Sequence, residues 1–79
     1  MKPSAEHRRA LALLAESDRG VVEAVLIEGR GFTLQTVVDL IRLGYAHADV
    51  ETVRAGARSR RIEVVRVTIT DAGRRAMEN

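Results

Sequence analysis

Seventy-nine residues with no cysteine, one proline and a hydrophobic share of 46% fit one small domain, residues 1–79, with a modest core. The missing cysteines exclude a disulfide framework and a thiolate metal site, and fit a reducing, cytoplasmic setting. The apolar share against a net charge of +2 excludes a disordered chain, and no apolar run approaches the roughly 20 residues of a membrane span.

Pro3 and Ser4 open the first predicted helix, with Ser4 as N-cap and Glu6 and His7 in the first turn. Ala10, Leu11, Leu13 and Leu14 form its apolar stripe, and Arg19-Gly20 is the expected stop. Met1 to Ser17 lacks the apolar centre of a signal peptide. Val21 to Glu28 is short and apolar. Its β-branched residues favour a strand, whereas the common face of Val21, Val22, Val25 and Leu26 and the following Gly29-Arg30-Gly31 favour a helix. The helix is the reading adopted.

Thr33 caps a third helix, Leu34 to Leu43, closed by Gly44. Leu34, Val37, Val38 and Ile41 are expected on its inner side, with Gln35, Thr36, Asp39 and Arg42 outward. Leu40 and Leu43 widen the apolar arc. Ala46 to Arg54 alternates weakly, Ala55-Gly56-Ala57 marks a turn, and Arg60 to Thr70 reads as a strong strand. Val65, Val67 and Ile69 of that strand should face the core. Ile62 and Val64 have the opposite parity, which implies a bulge or an apolar spot on the outer face. Thr70-Asp71-Ala72-Gly73 then starts a short helix through Met77.

Charge cancels along most of the chain, Asp49 and Glu51 make residues 46 to 53 acidic, and the whole basic excess lies in the segment that follows. Arg54, Arg58, Arg60, Arg61 and Arg66 oppose a single Glu63, an excess of +4 within thirteen residues. Arginine's planar fork matches phosphate oxygens bidentately. A basic cluster of this kind is the electrostatic footprint of nucleic-acid binding, and its plainer reading is a hairpin kept soluble by edge charges.

Leu40-Ile41-Arg42-Leu43-Gly44-Tyr45-Ala46 looks like the end of a recognition helix leading into a wing. Val67-Thr68-Ile69-Thr70-Asp71-Ala72-Gly73-Arg74-Arg75 looks like the strand and helix start that close one. Over residues 5 to 78 the chain resembles a winged helix-turn-helix domain, similar to bacterial regulators of the multiple-antibiotic-resistance type and to small winged-helix proteins of proteobacteria. The resemblance implies an α+β fold: a three-helix bundle, a two-stranded β-hairpin wing and a short C-terminal helix. It also implies double-stranded DNA as partner and a role in transcriptional regulation. Gln35, Thr36, Asp39 and Arg42 would then meet base edges in the major groove. Arg58, Arg60 and Arg61 at the hairpin tip would meet phosphates or the minor groove, with Arg54 and Arg66 further down. The third helix offers one cation against one anion, fewer positive charges than known readers present there. A homodimer or protein-interaction module on the same fold is therefore the second reading.

His7 and His47 read as surface histidines with no metal-ligand companions at useful spacing. Ser4, Ser17 and Ser59 have no base at defined spacing, and Gly29-Arg30-Gly31 lacks the strand and lysine of a phosphate loop. No catalytic residue and no cofactor is expected. Phe32 and Tyr45 are too few for a single-strand stacking platform.

Overall fold

A computed structural model of the chain describes residues 4–56 and 60–78. The α+β class expected from the sequence holds: helices are combined with a three-stranded antiparallel sheet. Helix α1 spans Ala5–Ala15. The Ser4 hydroxyl accepts from the His7 N–H at 3.2 Å, and His7 Nδ1 accepts from the Ser4 N–H at 2.8 Å. This is a reciprocal capping box with His in the place usually held by Glu or Gln. Ala10, Leu11 and Leu14 are buried as the stripe predicts. His7 joins them at 7% exposure and is not a surface histidine, because it lies on the same helical face and both ring nitrogens find partners. The helix stops four residues earlier than expected, at Ala15, and Gly20 takes its positive φ of 83° at the entry to the sheet instead of at a helix cap.

The segment read as a second helix divides in two. Val21–Val22 form strand β1, pairing with Val67 and Arg66, and a π-helical turn follows over Val25–Gly29 with Leu26 buried. Two β-branched residues suffice for a strand here because they satisfy the otherwise open backbone edge beside Val67. Helix α2 spans Leu34–Arg42, with Thr33 accepting from the Thr36 N–H at 3.2 Å. Its inner face is Thr36, Val37 and Leu40. Leu34 and Ile41 are exposed, at 56% and 37%, which reverses the expected orientation of those two residues.

Strands β2 (Ala46–Ala55) and β3 (Arg60–Ile69) form a hairpin in continuous register from Ala46 opposite Ile69 to Ala55 opposite Arg60. Val67 and Ile69 are buried and Val65 is half-buried, as their parity predicts. The unbroken register leaves no bulge, so Ile62 and Val64 form the apolar spot on the outer face, with Val53 opposite Ile62. The sheet order is β1-β3-β2. Helix α3 (Asp71–Glu78) follows, its start fixed by Thr70, whose hydroxyl accepts from the Gly73 N–H and donates to the Gly44 carbonyl.

The core joins Ala10, Leu11 and Leu14 to Leu26, Val37, Leu40, Ala46, Val67 and Ile69. All of its sheet residues come from the base of the hairpin, so the distal half projects beyond it. The described residues extend 47 × 22 × 20 Å. Among them, no helix is long and apolar enough to cross a membrane.

Candidate nucleic-acid interface

The projecting half of the hairpin carries the basic cluster. The register sets Arg54 directly opposite Arg61 and, one rung nearer the core, Thr52 opposite Glu63. Directly opposed residues share a face of the sheet, and these four have the parity of Ala46 and Val67, the core-facing side. Arg60, opposite Ala55, lies on the other face with Val53, Ile62 and Val64. Arg54, Arg60 and Arg61 are exposed, and among the described residues none of them forms an ion pair. Arg58 lies outside the described residues.

Arg66 is different. It stands opposite Asp49, its Nε donates to the Glu51 carboxylate at 2.6 Å, and its guanidinium also reaches the Gly20 carbonyl at 3.4 Å. This arginine fastens the hairpin base to the β1 entry, and its charge is answered within the chain.

Helix α2 presents less to a partner than its sequence implies. Thr36 is buried at 6% exposure and its hydroxyl donates to the Glu6 carboxylate of α1, so it is not an outward residue. The Thr33 hydroxyl donates to the same carboxylate at 3.2 Å. These bonds, Thr36 first, outweigh partial desolvation and hold the Glu6 carboxyl below its ordinary range. Asp39 also turns toward α1. Because His7 Nδ1 accepts from Ser4, Nε2 carries the proton and donates to Asp39 Oδ2 at 3.1 Å. Gln35 donates its amide to Asp39 Oδ1 at 2.8 Å. The Gln35 and His7 bonds lower the Asp39 carboxyl.

Of the four residues expected to face outward, Thr36 and Asp39 are thus spent on α1, Gln35 is exposed but tied to Asp39, and Arg42 is exposed without an ion pair among the described residues. What α2 shows instead is Leu34, Val38 and Ile41, at helical spacing, with Leu34 and Ile41 exposed and Val38 half-buried. The Glu6–Thr36 and His7–Asp39 pairs set this orientation, and because they join residues 30 and 32 apart they leave no local signal in the sequence.

An open groove of about 470 Å³ lies between α1 and the loop before α2, lined by Glu6, Arg9, Leu13, Arg30, Gly31 and Phe32. Its carboxylate is already engaged by Thr33 and Thr36. His47 is exposed beside Asp49, 3.1 Å from Nε2 to Oδ2. No group of three or more potential metal ligands occurs among the described residues.

Comparison with protein-family models, with curated proteins and with solved structures returns no match.

Proposed function

We propose that the chain is a winged helix-turn-helix domain that binds duplex DNA, with the arginines of the projecting hairpin as its principal contact. The observation that carries the reading is the exposed Arg54–Arg61 rung, with Arg60 on the adjacent position, standing clear of the core. Three guanidinium groups on an arm about 5 Å wide match the spacing of a polyanion far better than that of a small ligand. The element order supports the fold: helix, short strand, helical turn, helix, hairpin, helix, with β3 central in a β1-β3-β2 sheet. A small transcriptional regulator is the role such a domain would serve.

Titration of ¹⁵N-labelled protein with a duplex of about 15 base pairs tests the contact surface. The amides of Thr52 to Arg54 and Arg60 to Glu63 should shift first and most. Shifts confined to α1 or α3 would contradict the assignment.

A second reading rests on a separate observation, the Leu34–Val38–Ile41 stripe of α2, with Leu34 and Ile41 exposed and Val38 half-buried. Such a stripe suits contact with another protein or a second copy of the chain. Sedimentation decides it for self-association: a strict monomer at high micromolar concentration removes the homodimer.

A further inference from the structure

We infer that the hairpin, and not α2, is the element that enters the DNA major groove, where Arg54 and Arg61 meet guanine edges. The inference rests on the DNA-binding reading and assigns the element that recognises sequence.

A major groove roughly 12 Å wide admits either a helix or a two-stranded ribbon. The choice between them turns on which element carries donors and acceptors for base edges. On α2 most of those groups are engaged: Thr36 and Asp39 bond to α1, Gln35 gives one amide N–H to Asp39, and the remaining outward stripe is aliphatic. Arg42 and the rest of the Gln35 amide are what α2 still offers. On the hairpin the core-facing parity gathers Thr52, Arg54, Arg61 and Glu63 on two adjacent rungs, all four exposed.

The chemistry of this quartet corresponds to the base-edge code. Arginine binds guanine O6 and N7 bidentately, glutamate accepts from the cytosine amino group, and threonine serves either base. Its dimensions fit as well. Rungs on one face are separated by two residues, about 6.7 Å, which spans two base-pair steps of about 3.4 Å. Within one rung the two side chains start about 5 Å apart, so Arg54 and Arg61 can reach neighbouring bases of one stack. The opposite face offers Val53, Ile62 and Val64 with a single Arg60, which cannot read edges but can hold the flanking phosphate. Like charges directly opposed across a ladder destabilise it. A hairpin that keeps two of them clear of any carboxylate partner among the described residues gains from an acceptor-rich surface placed between them.

Fluorescence anisotropy against three 15-base-pair duplexes tests this: one G·C-rich, one A·T-rich, and the G·C-rich duplex made with 7-deazaguanine, which lacks only the major-groove N7 acceptor. The parent should prefer the G·C-rich duplex by about tenfold and lose most of that preference with 7-deazaguanine. Arg61→Ala should abolish the preference and Arg42→Ala should retain it, with thermal melts showing both variants folded. Equal affinity for all three duplexes would overturn the inference and leave phosphate binding standing. A preference lost in Arg42→Ala but kept in Arg61→Ala would place α2 in the groove instead. No binding to any duplex would remove the DNA-binding reading together with the inference.

Discussion

Two carboxylates of this chain are held below their ordinary values chiefly by hydrogen-bond donors. Glu6 accepts from the hydroxyls of Thr36 and Thr33, and Asp39 accepts from the Gln35 amide and His7 Nε2. Both titrate lower in the folded chain than their ordinary values of 4.5 and 3.8. They therefore add stability above those values, and the contribution is lost as pH falls through them toward the folded values. Thr36→Val removes the main donor to Glu6, so its urea midpoint should fall less than the parent's between pH 6 and pH 3. An identical acid dependence in the two proteins would show that the Thr36 hydroxyl does not hold the Glu6 charge. The opposed arginines make the reverse case. Arg61→Thr relieves repulsion across the ladder and should leave the melting temperature unchanged or raised, by the equivalent of a few tenths of a kcal/mol, while weakening DNA binding. A clear fall in melting temperature would mean that Arg61 has a structural partner.

Elements were legible in the sequence where one apolar period ran long enough. The stripe of α1, the capped start of α2, the odd-numbered core positions of β3 and the Thr70 start of α3 all follow from spacing. Strand β1 did not, because two residues carry no period and only their pairing with Val67 and Arg66 defines them. The rotation of α2 escaped for a different reason. Counting apolar positions puts Leu34 and Ile41 inside, but the helix is oriented by hydrogen bonds from Thr36 and His7, and turning it to bury the two aliphatic side chains would leave these buried donors without their acceptors. The candidate site divided accordingly: the arginines of the hairpin were readable from charge clustering, whereas the depletion of α2 depended on contacts 30 and 32 residues distant in sequence. The start of α3 yields its own expectation. Gly73 lies inside a helix, where alanine ordinarily gains about 1 kcal/mol, yet a Cβ there would press on the Tyr45 carbonyl and the Ile69 side chain. Gly73→Ala should therefore lower the melting temperature, and a rise would mean that α3 is free to move off Tyr45.

At the scale of the whole molecule, shape and charge are separated. The core occupies the helices and the base of the hairpin, while the basic excess sits on the arm beyond it. With Arg66 answered by Glu51, the arm still holds Arg54, Arg60 and Arg61 against Glu63. Three arginines held in the field of the DNA displace about three condensed counterions, whether they meet base edges or phosphates, so affinity should fall by about 40-fold between 50 and 200 mM salt at a slope of roughly 0.9 each. A chain of this size, acting alone, would therefore hold DNA weakly at physiological salt, and a second DNA-bound copy would raise occupancy steeply. The most direct measurement is fluorescence anisotropy of a labelled duplex at 50 and 200 mM salt, for the parent and for a variant carrying Arg54→Ala, Arg60→Ala and Arg61→Ala. Micromolar binding at low salt that weakens steeply at high salt and vanishes in the triple variant is the predicted result. Binding by the triple variant equal to the parent's, or no binding by the parent at tens of micromolar, would contradict the hairpin as a DNA-binding arm.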